Sequence, residues 1–307
     1  MPIVVLLAVL ALAVTAPAAG ATPTIGIGEQ SPQMFTDPSW TALGIRNVRL
    51  VVSWDATRIP FERGLIDGYM EAAARADARV LVAFGRSRID RRRKVLPSPA
   101  RYRRAFLAFR RRWPQAREFI AWNEANHCSQ PTCHKPARAA AYYDTLRSAC
   151  RGCTVVAASV LDLPSMGRWV RAFTRAAKHR PRIWGLHNYI DANRFTTGGT
   201  RALLRATRGD IWFTETGGVV RRRKRSTIVF PESATHAARA TDWVFGRLAR
   251  LSPRIKRVYL YHWRPGEQDA QWDSALLNRH GRPRPAYTVL HTWVRRVERA
   301  LRARRRG

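Results

Sequence analysis

Eight short runs of apolar, β-branched and aromatic residues recur along the chain with amphipathic stretches between them, and this rhythm restricts the fold more than any other feature. The runs are TIGIGEQ (24–30), NVRLVVSW (47–54), ARVLVAFG (78–85), EFIAWNEA (118–125), TVVAASVLD (154–162), IWGLHNYID (183–191), DIWFTETGG (210–218) and RVYLYHWRP (257–265). Near-continuous apolar runs of this length read as parallel strands buried on both faces. The segments 65–76, 100–112, 136–149, 165–178, 233–250 and 285–301 between and after them read as covering helices. Eight such units predict an α/β protein with a single (β/α)8 TIM barrel. A doubly wound sheet would need a glycine-rich phosphate turn after an early strand, and GIGEQS after the first run does not supply G-x-G-x-x-G. With 307 residues, 46% hydrophobic composition and no linker or internal repeat beyond the βα rhythm, one domain is expected over 22–307.

The segment before it is of another kind. MPIVVLLAVLALAVTAPAAGA holds a 13-residue apolar core from Ile3 to Thr15, then small residues with an A-x-A cleavage site at Ala19-Gly20-Ala21. It reads as a secretory signal peptide over 1–21, although no Lys or Arg precedes the core. The run is short for a bilayer span, so no stable membrane insertion after cleavage is expected, and the mature protein is expected outside the cell.

An oxidising destination changes what four cysteines mean. Cys128 and Cys133 stand as C-x4-C and Cys150 and Cys153 as C-x2-C, which favours the local disulfides 128–133 and 150–153. A zinc site from His127, Cys128, Cys133 and His134 is the alternative, disfavoured because oxidation competes with thiolate ligation. Neither a metal nor a cofactor is expected.

The net charge of +34 comes from 55 Lys and Arg against 21 Asp and Glu, and only Lys94, Lys135, Lys178, Lys224 and Lys256 are lysines. Arginine is spread along the whole length, so the balance reflects an arginine-biased composition more than a nucleic-acid site, and no specific nucleic acid is expected. The runs at 91–94 and 221–225 follow the third and seventh strands, where guanidinium groups rimming a cleft would favour an acidic glycan. The sequence leaves the oligomeric state open.

Barrel enzymes place their chemistry at the C-terminal ends of the strands. Asp55, Asn123, Glu124, Asp162, His187, Asn188, Tyr189, Asp191, Glu215 and His262 all fall there. Glu124 ends the fourth strand and Glu215 the seventh, on opposite walls of the mouth. Two carboxyls about 5 Å apart across a cleft suit a retaining glycosidase, one attacking the anomeric carbon and the other handling the proton.

On these residues the sequence resembles the clan of retaining (β/α)8 glycoside hydrolases that includes the cellulase-like family, the mannanases and the β-xylosidases. Asn123-Glu124 and Glu215 match that clan's Asn-Glu after strand four and Glu after strand seven. VRLVVSW at 48–54 is similar to the strand-two segment whose Arg contacts the nucleophile, here Arg49, and HNY at 187–189 to the strand-six His-x-Tyr. Trp263 matches the strand-eight Trp that floors the sugar subsite. Some cellulase-like members carry a His in the strand-three region, whereas here that strand reads VLVAFGRS, with Arg86 where the cleft wall is expected, so the resemblance extends to the clan and not to one family. It implies an O-glycosidase acting on a poly- or oligosaccharide, with Glu215 as nucleophile kept ionised by Arg49 and the Tyr189 hydroxyl. Glu124 is then the acid/base, its pKa raised toward about 6 by burial beside Trp122 and repulsion from Glu215. Asn123 is expected on the sugar 2-hydroxyl, His187 orienting the acid/base, and Trp263 and Trp54 stacking on sugar faces. Competing readings are a barrel that binds glycans without cleaving them and a polyanion-binding surface protein.

Overall fold

The computed structural model describes residues 22–222, 228–266 and 272–306. The expected signal peptide at 1–21 lies outside the described residues. Eight parallel strand positions form one sheet: β1 Thr24–Gly28, β2 Asn47–Ser53, β3 Arg79–Gly85, β4 Glu118–Ile120, β5, β6 Ile183–His187, β7 Asp210–Thr216 and β8 Ile255–Tyr261. Strand β5 runs as two pieces, Thr154–Val156 paired to β4 and Ser159–Leu161 paired to β6. Between the pieces, Ala157 N–H donates to Ile183 O and Gly185 N–H to Ala158 O, each at 2.9 Å, so the ring of strands continues across the break. With β1 paired to both β2 and β8, this is a parallel α/β barrel of TIM type.

The covering helices start where local chemistry allows. Pro38, Pro60, Pro99 and Pro136 each open a helix, where a missing N–H costs nothing. The Ser98 hydroxyl caps Pro99–Arg112 by accepting from Arg101 N–H at 3.2 Å. Tyr102, Phe106 and Phe109 form that helix's buried stripe, and all three pack on Phe84 of β3 at ring separations of 5.1 to 6.1 Å. Each aromatic so removed from water contributes about 2 kcal/mol.

All eight expected strands form, but the fourth, sixth and eighth end four or five residues before their apolar runs do. The sixth stops at His187 because Asp162, after β5, accepts N–H bonds from Ile190 and Asp191 and turns the chain into the short helix Tyr189–Arg194. The fourth stops at Ile120, and residues 123–126 make a turn.

Inside the barrel, Leu81, Ala83, Ile120, Val156, Trp212 and Tyr259 pack together. Gly26 admits the Tyr259 ring, which would lie 2.5 Å from a Cβ at that position. Below this layer Arg257 of β8 reaches Glu118 of β4 across the barrel, Nη2 to Oε1 2.9 Å, with its guanidinium carbon 3.8 Å from the Trp212 ring centre. At the other end Glu29 closes the seam between β1 and β8. Its Oε1 accepts from Gln30 and Ser31 N–H, and its Oε2 from Trp263 and Arg264 N–H at 2.9 and 3.3 Å.

Removing one partner of the cross-barrel pair strands the other. Glu118→Ala is expected to cost about 2 kcal/mol in urea unfolding, and Glu118→Leu combined with Arg257→Met to recover most of that loss.

Candidate active site

A buried guanidinium organises the C-terminal mouth of the barrel. Arg49, fully buried on β2, donates from Nη1 to Glu215 Oε2 at 2.7 Å and from Nη2 to Asn123 Oδ1, and Nη2 lies 3.4 Å from His187 Nε2. Since a guanidinium only donates, His187 Nε2 accepts and Nδ1 carries the proton. That Nδ1 faces Glu124 Oε1 at 3.3 Å and Glu215 Oε2 at 3.9 Å. His187 comes opposite Glu215 because the β6–β7 register shifts between Leu186 and His187.

Glu215 receives its second bond from the Tyr189 hydroxyl, 3.1 Å to Oε1. Burial, then the Glu215 charge, push the Tyr189 phenol well above its ordinary value, so it remains a donor. Asn123 turns its amide oxygen to Arg49, leaving its amide N–H2 for the cleft that it lines.

Glu124 sits at φ 48°, in the left-handed region that a side chain enters at a cost of about 1–2 kcal/mol. The surrounding turn fixes it there. Ala125 N–H donates to Ser159 O, Thr132 Oγ1 to Ala125 O, and Asn126 makes two bonds to the Leu161 backbone. Carboxylate oxygens of Glu124 and Glu215 and a ring nitrogen of His187 all lie within 4.8 Å of one another. Three such groups are close enough to hold an ion, but the Arg49 charge against Glu215 opposes a cation there.

The three side chains open into a cleft of about 540 Å³. Gln30, Val51 and Arg88 from β1–β3 form one wall, and Leu161, Asp162, Leu163 and Ile190 after β5 and β6 another. Burial pushes the Asp162 carboxyl up to about 7, opposed by the Asp191 N–H bond and reinforced by the Asp191 charge.

Several expectations need correction. Glu124 does not have a raised pKa. Burial does raise it, but the hydrogen bond from His187 and its electrostatic attraction, with smaller contributions from His127 and Arg49, outweigh burial and hold it below the usual glutamate value. Trp122 is not beside it, being stacked on Tyr142 at 5.0 Å in the layer between barrel and helices. Nor are Trp54 and Trp263 sugar platforms at this cleft. Trp54 is 3% exposed under Arg101. Trp263 is 2% exposed, bonded to Asp37 at 3.2 Å and packed edge-on against Trp40. The aromatic lining comes instead from Tyr261 at the end of β8, from Phe230, and from Trp272 in a two-residue ribbon that pairs with Arg221–Arg222. Of the aromatic residues that line the cleft, Tyr189 and Tyr261 lie in expected strand runs, and Phe230 and Trp272 do not.

The arginine runs contribute less to the cleft than their positions suggest. None of residues 91–94 lines it, Arg92 pairing with Asp55 and Arg93 with Asp90. Arg88 and Arg222 do line it, but each already faces a carboxylate, Glu62 at 3.5 Å and Glu232 at 2.7 Å. Residues 223–225 lie outside the described residues. Cys128–Cys133 and Cys150–Cys153 are joined as disulfides, so the alternative zinc set has no thiolates to offer, and His127 turns to Ser129 Oγ at 2.8 Å.

No protein-family model and no curated protein matches the sequence. Solved structures do. The protein is similar to GH5_18 from Streptomyces cattleya in complex with GlcNAc, at 17% identity and TM-score 0.64 over 91% of this chain and 81% of that one. It is similar to a family 39 glycoside hydrolase from the gut symbiont Bacteroides cellulosilyticus WH2, at 13% identity and TM-score 0.56 over 89% of this chain and 64% of that one. It is also similar to xylanase 10B from Thermotoga petrophila RKU-1 in complex with xylobiose, at 10% identity and TM-score 0.59 over 90% of this chain and 94% of that one. The shared feature is the barrel.

The balance at Glu124 has a direct check. In a carbon-13 NMR titration of the side-chain carboxyls, Glu124 is expected to titrate below the ordinary glutamate range. His187→Phe, which keeps a ring but removes the donor, is expected to raise its midpoint.

Proposed function

We propose that the protein is an exported retaining glycoside hydrolase, with Glu215 as nucleophile and Glu124 as acid/base. One observation carries the proposal: two glutamates from opposite walls of the barrel bring carboxylate oxygens within 4.8 Å over a shared cleft. That separation suits direct attack on the anomeric carbon and leaves no room for the water that an inverting pair must hold between carboxyls about 6.5–9.5 Å apart. The likeness in fold to glycoside hydrolases supports the reading, as does the GlcNAc or xylobiose bound in two of those structures. The apolar amino-terminal segment and the two disulfides support export.

The steps follow from the contacts. A Glu215 oxygen attacks the anomeric carbon as the bond to the leaving oxygen breaks, and Glu124 gives that oxygen its proton. Water then attacks the same carbon, Glu124 takes the water's proton, and the bond to Glu215 breaks. Glu124 must therefore be protonated when substrate is bound, although its surroundings hold it ionised in the open cleft. The bound sugar supplies the difference by displacing water from a side chain that is 26% exposed, strengthening the desolvation that is already the largest influence on it. Arg49 and Tyr189 hold Glu215 facing the anomeric carbon, and the Asn123 amide N–H2 bonds the 2-hydroxyl. An acidic sugar is a weaker candidate, because its carboxylate would compete with Glu62 and Glu232 for Arg88 and Arg222.

On a panel of aryl glycosides, Glu124→Ala and Glu215→Ala are each expected to lower turnover at least about 100-fold. Azide is expected to restore Glu215→Ala and give a glycosyl azide of inverted configuration, while wild type releases sugar with retention. Unchanged turnover in either variant rules the assignment out.

A further inference from the structure

The two halves of the cleft differ in chemistry. Gln30 and Arg88 on the β1–β3 side, with Asn123 after β4, offer donors and acceptors suited to hydroxyl groups. On the side of Glu124, where a leaving group must lie to receive its proton, the lining is largely aliphatic. Leu161, Leu163 and Ile190 stand there, and Ile228 faces the same cleft from the loop after β7, clustered with the aromatic rings of Tyr189, Phe230 and Trp272. The two bonds between Asn126 and the Leu161 backbone, 2.9 and 2.8 Å, tie this wall to the turn that carries Glu124. Asp162 is the carboxylate of the wall, only 7% exposed and accepting backbone N–H bonds from Ile190 and Asp191. The apolar surface continues outward. Val229, next to Ile228, is 68% exposed, and Arg194 holds its carbonyl with bonds of 3.1 and 3.0 Å.

A second sugar unit would fit this wall poorly. Its hydroxyls would leave water for the side chains of Leu161, Leu163, Ile190 and Ile228, none of which offers a hydrogen bond. An alkyl or aryl group gains by the same exchange.

We propose that the leaving-group half of the cleft binds an apolar aglycone, so that the substrate is a glycoside of a hydrophobic alcohol and not a polysaccharide chain. This rests on the glycosidase reading for the direction of the leaving group. The volume of about 540 Å³ suits one sugar with a compact apolar group.

Binding and turnover test it separately. Calorimetry on Glu124→Gln, which blocks turnover, compares methyl and octyl β-glycosides of glucose, xylose and N-acetylglucosamine below their micelle-forming concentrations, with xylobiose alongside. Octyl glycosides are expected to bind one per protein, at least about tenfold tighter than the methyl glycosides of the same sugar. Adding Leu163→Asn and Ile190→Asn is expected to abolish that gap while leaving methyl glycoside affinity unchanged. Equal affinity for octyl and methyl glycosides, tighter binding of xylobiose than of any octyl glycoside, or no binding of any of them overturns the proposal. Hydrolysis by wild type is then read on its own. An octyl preference without release of sugar leaves the apolar site standing and removes the glycosidase reading. Release of sugar with no octyl preference does the reverse.

Discussion

A guanidinium with no access to water needs partners, and the geometry of the mouth follows from where Arg49 finds them. Its donors point at Glu215 on β7, Asn123 after β4 and His187 on β6, so one side chain on β2 sets the spacing of three others. Loss of a partner would leave a buried charge uncompensated, a penalty of about 3–5 kcal/mol that holds the arrangement together. The same cation selects the His187 tautomer that donates to Glu124. The two glutamates are thus held differently, Glu215 by direct ionic contact and Glu124 through an intervening imidazole.

Much of this was legible in the sequence. Strands buried on both faces announce themselves as uninterrupted apolar runs, and all eight were visible. Once they are counted, the strand ends can be searched for polar residues, which is how Asn123, Glu124, His187, Tyr189 and Glu215 are found. Arg49, third in β2, comes from the resemblance, and Asp55, Asn188, Asp191 and His262 at the same ends do not line the cleft. What failed depended on loops. A tryptophan at a strand end has the same sequence signature whether it faces a cleft or a neighbouring helix. Trp263 went to the helix side because Asp37 and Trp40, in and beside the unanticipated short helix Pro38–Leu43, receive it. Phe230 and Trp272 could not be anticipated, since the loops that carry them have no periodicity. The pKa direction of Glu124 was beyond reach for a related reason. It is a sum over charges brought together from β2, β4 and β6, and sequence distance says nothing about which of them dominates.

On the proposed reading, the cleft separates two tasks that a glycosidase performs at one point. Recognition of a sugar needs directional donors and acceptors, found beside β1–β3. Departure of the leaving group needs a proton, supplied on that reading at the turn of Glu124. The break in β5 at Ala157–Ala158 belongs to the strand whose far end carries Leu161, one residue of the cleft's second wall.

Glu29 touches neither glutamate, yet the constancy of their separation depends in part on it. By accepting backbone N–H groups on both sides of the seam, across 234 positions of chain, it carries the hoop that the β1–β8 ladder closes as far as Gly28 and Tyr261 one step further toward the mouth. A hoop cannot widen at one place without bending elsewhere. The tolerance within which Glu124 and Glu215 must meet is therefore shared around the entire circumference, beginning at a carboxylate outside their own strands.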